Sequence, residues 1–183
     1  MTREIKLSIT GAGGVGKSTL ARELAKQREL PLIPELARIL CEQAGHKRIG
    51  EIPDQEAFKK LVLKKQIEEE AKFQSFIADR GVIDCWVLWQ RWNICSAMTF
   101  DTEEVYERVR AHSKSYTHIV YLEPGFSPEE DGFRWTEPDY IKQIDRIIRM
   151  TFYDLQIWDR VLSIKSDNFQ TRLEELNNWL DRH

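Results

Sequence analysis

Apolar and polar side chains alternate at Ile5-Lys6-Leu7-Ser8-Ile9, the period of two that a strand shows. The alternation breaks at Gly11-Ala12-Gly13-Gly14-Val15-Gly16. From 17 to 27 the spacing is helical, with Leu20, Leu24 and the alanines Ala21 and Ala25 on one stripe. Leu30-Pro31-Leu32-Ile33-Pro34 is short, apolar and flanked by proline, a poor but admissible strand. Helical spacing returns over 35–44 and stops at Gly45, a C-cap candidate. A long helix is predicted over 54–72, capped by Asp54 after Pro53. Residues 73–79 contain the apolar run Phe76-Ile77-Ala78 and read as a buried strand. Residues 82–92 read as a helix, as do 102–112 behind an Asp101 cap. Residues 117–122 are β-branched and aromatic, the clearest second strand. Three prolines and two glycines over 123–138 predict a loop, followed by a helix over 139–158, a strand over 161–164 and a helix over 169–180. Strands alternating with helices predict an α/β fold, a mostly parallel sheet of about five strands covered on both faces.

The chain has 183 residues, about one domain's worth, and no repeat or linker divides it, so residues 1–183 are read as a single unit. It is 42% hydrophobic and 31% charged, too apolar for a disordered chain. With 30 acidic against 27 basic residues, the net charge of −3 argues against a nucleic-acid partner. No apolar run is long enough to span a bilayer. The N-terminus lacks the apolar core of a signal peptide. Cys41, Cys85 and Cys95 are odd in number and never spaced C-x-x-C, so neither a disulfide framework nor a zinc site is indicated. A cytoplasmic location is expected. Oligomeric state stays open, a homodimer included.

Gly11-Ala12-Gly13-Gly14-Val15-Gly16-Lys17-Ser18 satisfies G-x-x-x-x-G-K-[ST] in full, between a predicted strand and a predicted helix. Glycines let successive backbone amides converge on an anion, and the helix start at Lys17 to Thr19 adds its positive end. In this pattern the lysine reaches the β- and γ-phosphates and the Ser18 hydroxyl ligates Mg²⁺, so ATP or GTP with Mg²⁺ is the expected cofactor. A GTPase of the Ras type would also show D-x-x-G and N-K-x-D; the first is missing, and Ile164-Lys165-Ser166-Asp167 lacks the asparagine.

Phosphoryl transfer to a hydroxyl needs a base beside that hydroxyl and cations around the moving charge. In a doubly wound sheet these belong at the C-terminal ends of strands next to the phosphate loop. Glu35 and Arg38 follow the second strand, three residues apart on one side of a helix start; the plainer alternative is a simple ion pair at that helix end. Asp79-Arg80-Gly81 closes the buried third strand, where a carboxylate sits beside the metal; the plainer reading is a helix cap and a turn glycine. Asp131-Gly132-Phe133-Arg134 lies in the predicted loop, as a lid arginine would, or as the anchor of a surface loop. Arg146 and Arg149 on the next helix are read mainly as a solvated face. Trp86, Trp89 and Trp92 recur every three residues and fit core packing better than a stacking platform, with Trp86 kept as an acceptor-side candidate. His46, His112, His118 and His183 show no metal-ligand spacing and are read as structural. The run Glu68-Glu69-Glu70 is read as a wet helix face.

Taken in order, the phosphate loop, P-E-x-x-R at Pro34 to Arg38, D-R-G at Asp79 to Gly81 and D-G-x-R at Asp131 to Arg134 resemble one group of P-loop proteins. This is the AAA-type family that includes bacterial ribosylnicotinamide kinase domains and animal translocation-defect nucleotide-binding proteins. The resemblance implies a nucleoside/nucleotide-kinase-like P-loop nucleoside triphosphate hydrolase fold. It implies Glu35 on the acceptor side, Asp79 as the metal-side acid, Arg80 as a phosphate-binding arginine and Arg134 as the lid arginine. The expected function is transfer of a γ-phosphoryl group to a small, nucleoside-like metabolite, with Lys17, Glu35, Arg80 and Arg134 catalytic and Glu35, Arg38, Asp79 and Trp86 at the substrate. The competing expectations are a nucleotide-binding regulatory module that hydrolyses slowly, and an interaction protein that keeps the cradle only as structure.

Overall fold

The structure is a computed structural model that describes residues 4–125 and 137–182. Among these residues, five parallel strands form one sheet in the order β2-β3-β1-β4-β5. They are β1 (Lys6–Gly11), β2 (Leu32–Ile33), β3 (Phe76–Asp79), β4 (His118–Leu122) and β5 (Val161–Ile164). Among the described residues, seven helices connect and flank them: α1 (Lys17–Arg28), α2 (Leu36–Gln43), α3 (Gln55–Glu70), α4 (Val82–Trp92), α5 (Thr99–Ser113), α6 (Pro138–Asp154) and α7 (Phe169–Arg182). The expected α/β architecture is thus present.

Because both faces of the sheet are covered, β3, β4 and β5 are mostly apolar, and in the alternating β1 even the polar Ser8 and Thr10 are fully buried. Leu7, Ile9, Ile77, Ala78, Ile119 and Leu122 are all fully buried. Helices α1 and α7 pack together on the sheet, while α4 and α6 pack on each other and on β1. Asp54 caps α3 by accepting the Ala57 amide at 2.9 Å, as its position after Pro53 predicted.

Several boundaries shift by one to four residues, β3 beginning at Phe76 rather than 73, and two of the shifts have a visible cause. Helix α5 starts at Thr99 behind Met98, so Asp101 lies in its first turn and is drawn into an ion pair with Lys60 rather than a cap. Helix α6 ends at Asp154 instead of 158, where Gln156 turns left-handed at φ 55° and a short 3-10 turn over Trp158–Arg160 leads into β5. The expected lid over 123–138, with Asp131 and Arg134, falls mostly outside the described residues.

Strand β1 is central: the chain passes from it to β2 and β3 on one side, then crosses to β4 and β5 on the other. The phosphate loop therefore lies at a switch point, where crevices form beyond the strands' carboxyl ends.

Candidate active site

Backbone register gathers the site before any side chain is considered. Ile33 pairs with Ala78 and Ile9 with Asp79, so two residues further on Glu35 and Arg80 run side by side next to the start of the phosphate loop. Gly11, at the end of β1, pairs with Leu122 and has φ +149°. A Cβ there would lie 2.7 Å from the Leu122 carbonyl oxygen, so the loop can leave the sheet at this point only as glycine. Gly16, at φ 89°, opens α1 without a side-chain cap, and the helix's first amides are left for the loop's concave side.

Lys17 is 4% exposed and its Nζ donates to the Ala12 carbonyl at 2.5 Å. Burial, with the Arg80 charge adding to it, lowers its pKa to about 7. Ser18 is half-buried and Thr19 exposed on the same first turn. Asp79 is 5% exposed, and its Oδ1 has no hydrogen-bond partner. A buried carboxylate oxygen left unpaired is costly unless a cation meets it. Asp79, and Ser18 of the phosphate loop, carry the hard oxygen donors that suit Mg²⁺. The residues present fit the ion.

Arg80 is the hub. Its Nε donates to Glu35 Oε1 at 2.8 Å, its Nη1 to Asp84 Oδ1 at 2.7 Å, and Nη1 lies 3.5 Å from the Gly11 carbonyl oxygen. Burial alone would lower its pKa, yet the carboxylates of Glu35, Asp84 and Asp79 outweigh burial and raise it. Its backbone sits at φ 76°, the left-handed region, which costs a residue with a Cβ about 1–2 kcal/mol. Backbone strain of this kind clusters at functional sites in proteins generally. Arg38 joins the cluster through Glu35 Oε2 at 3.9 Å.

The structure therefore brings together Gly11 to Ser18, Glu35, Arg38, Asp79 and Arg80. Trp86 lies two residues past Asp84 on α4, buried with its ring 5.0 Å from that of Tyr106. No hydrogen bond or ring contact joins it to Glu35 or Arg80 among the described residues. Trp89 is fully buried; Trp92 is 40% exposed, with the Arg91 guanidinium 4.4 Å over its ring. Arg149 is tied to Glu123 at 2.8 Å and Asp145 at 3.1 Å, whereas Arg146 is exposed.

Three features escaped the sequence reading. Asp84 is four residues past Arg80, a spacing that could have flagged it. Arg172, 3% exposed, comes from α7 to donate to Val15 O and Ser166 O, both at 2.5 Å, bracing the phosphate loop from behind. Glu70 is a correction: Glu68 and Glu69 pair with lysines at the surface, but Glu70 is 2% exposed. Phe58, Val62, Gln66 and Glu70 share one helical face, and that face is buried.

A family model described as an AAA domain matches residues 6–172. Among solved structures, the chain resembles the NadR protein in complex with NR, at a TM-score of 0.78 and 15% identity over 96% of this chain and 51% of that one. It resembles deoxyadenosine kinase from M. mycoides with bound dATP at 0.59 and 15%, covering 97% and 100%. It resembles shikimate kinase from Aquifex aeolicus vf5 at 0.60 and 16%, covering 96% and 95%. At these identities the likeness is one of fold, and the chain spans about half the length of the NadR chain. No curated protein matches the sequence.

Proposed function

The chain belongs to the AAA domain family of P-loop proteins, and from that premise we propose that it is a phosphotransferase using ATP or GTP with Mg²⁺ to phosphorylate a hydroxyl of a small, nucleoside-like metabolite. One observation carries the reading: Arg80 is held between Glu35 and Asp84 at the rim of the phosphate loop, so a base, a cation and an anion cradle share one crevice. A motor or a signalling NTPase has no need of a carboxylate positioned for a second substrate.

In this scheme the loop amides and Lys17 hold the triphosphate, and Ser18 and Asp79 hold the metal. When bound, Mg²⁺ neutralises charge on the phosphate oxygens. The acceptor oxygen forms a bond to the γ-phosphorus as the bond to the leaving nucleoside diphosphate breaks. Glu35 takes the acceptor's proton. Arg80, with Arg134 of the proposed lid, faces the negative charge on the moving group, and Arg38 orients Glu35. Trp86 is assigned to the acceptor side by its place on α4 alone. Residues 1–183 act as one unit, in the cytoplasm.

No helix among the described residues is long and apolar enough to cross a membrane. The test is a thermal-shift screen of nucleosides with and without Mg·ATP, since a true acceptor raises stability by mass action, followed by nucleotide consumption with each hit. Acceptor-stimulated turnover supports the kinase. Slow hydrolysis indifferent to every acceptor overturns it in favour of the regulatory module.

A further inference from the structure

Between α3, α5 and the start of β4 lies a buried polar network that the proposed reaction does not use. Glu70, the last residue of α3, forms no ion pair with lysine or arginine among the described residues. Its Oε1 accepts from Gln66 Nε2 at 2.7 Å and from the Tyr116 hydroxyl at 2.8 Å, and its Oε2 is 2.6 Å from His112 Nε2. Tyr116, 1% exposed, accepts the Val82 amide at 2.9 Å, and Gln66 Nε2 also donates to the Arg80 carbonyl at 3.3 Å. Two side chains that converge on one carboxylate thus hold the peptide groups on either side of Gly81.

The polarity of the network follows from Glu70. The Glu70 carboxyl oxygen takes the single hydroxyl hydrogen of Tyr116 and leaves the phenolic oxygen free to receive the Val82 N–H. It also turns the amide nitrogen of Gln66 inward, and the second hydrogen on that nitrogen reaches the Arg80 carbonyl. The turn so held is tight. A Cβ on Gly81 would lie 2.5 Å from the Tyr116 hydroxyl oxygen and closer still to Ser8 Oγ. It is also the turn in which Arg80 adopts its left-handed backbone, the conformation from which its guanidinium reaches Glu35 and Asp84.

We infer that Glu70, acting through Gln66 and Tyr116, is a positioning residue for Arg80. The catalytic consequence rests on the phosphotransferase reading; the geometric one does not.

The experiment uses Tyr116→Phe, which removes one hydroxyl, and Glu70→Gln, which turns an acceptor into a partial donor. Gln66→Met stands in should either fail to fold. Nuclear magnetic resonance follows the Arg80 Nε–H signal, assigned by its loss in Arg80→Lys. It is expected as a protected peak in the unaltered protein, and to be lost or strongly shifted in each variant while the Arg149 Nε–H signal stays. In turnover with the best acceptor, kcat is expected to fall about tenfold to a hundredfold with nucleotide affinity unchanged. In the Arg80→Lys background, Tyr116→Phe is expected to add almost nothing. A folded variant whose Arg80 signal is unmoved overturns the inference, as do losses that multiply independently in the double variant. If the unaltered protein transfers no phosphate to any acceptor, the functional reading falls while the spectroscopic arm still decides the positioning role.

Discussion

Glu35 Oε1 accepts a hydrogen bond from Arg80 Nε at 2.8 Å, across the ends of two strands that are neighbours in the sheet but 45 residues apart in the chain. The carboxylate proposed to take the acceptor's proton and the cation proposed to face the moving phosphoryl group thus hold one another in place. Glu35→Gln keeps the volume and an oxygen acceptor for Arg80 but cannot take a proton. Turnover is expected to fall by about 10²–10⁴ with nucleotide affinity unchanged. Calorimetric titration of Mg·ATP beside a coupled turnover assay checks this, and full activity in the variant removes Glu35 as the base.

Arg80 carries a second cost that a melt can read. Arg80→Ala takes the cation away from Asp84, whose side chain is 6% exposed, and from Glu35 at 12%, which keeps its contact with Arg38. The Arg80 side chain is itself 17% exposed, so the loss is expected at about 2–3 kcal/mol, below that of a fully enclosed pair. Arg80→Gly removes the same charge but accepts φ 76° without strain. Offset by the looser unfolded chain, it is expected to be more stable than Arg80→Ala by about 0.5–1 kcal/mol. Urea unfolding of the two variants gives the difference, and equal midpoints would mean the backbone is relaxed there.

These residues also mark how far the sequence alone reaches. The phosphate loop was legible because its signal is local: glycines between a strand and a helix leave few other structures. Asp79 and Arg80 were legible because they end an apolar run, and the order of elements pointed to a parallel sheet. The pairing of Arg80 with Glu35 was not, because it depends on β2 and β3 being adjacent, which only the sheet order decides. Arg172 was out of reach for the same reason, meeting Val15 from 157 residues away. Glu70 was hidden by its neighbours: a run of three glutamates looks solvated, yet consecutive helical residues point about 100° apart and the third faces the core.

Asp79 offers a test of the metal site that needs no acceptor. Its Oδ1 is buried without a hydrogen-bond partner, which costs stability, while its charge faces Arg80 and Lys17, which returns some, so Asp79→Asn is expected to change the melting temperature little. With a chelator present, nucleotide affinity should also be unchanged. The gain in affinity on adding Mg²⁺ should fall by about tenfold or more. Titration of a fluorescent nucleotide with and without Mg²⁺ measures both. A variant that keeps the full Mg²⁺ effect moves the metal elsewhere.

Lys17 makes nucleotide binding a proton-linked event. Buried and beside Arg80, it has a pKa lowered to about 7, so in the protein alone it is mostly neutral at pH 8. The same burial works against folding: that penalty is full below pH 7 and fades toward the lysine's ordinary value, so stability without nucleotide should rise over that interval. A triphosphate in the loop favours the charged ammonium and restores the higher pKa. Binding at pH 8 is therefore expected to take up close to one proton, and at pH 6 almost none. Affinity should weaken by about tenfold per unit between pH 7 and pH 9. Calorimetry in buffers of different ionisation enthalpy counts the protons directly. Lys17→Arg, charged at every pH in this range, should bind without that uptake or that slope. If the unaltered protein binds Mg·ATP at pH 8 with no proton uptake, the Lys17 ammonium is not what meets the phosphates.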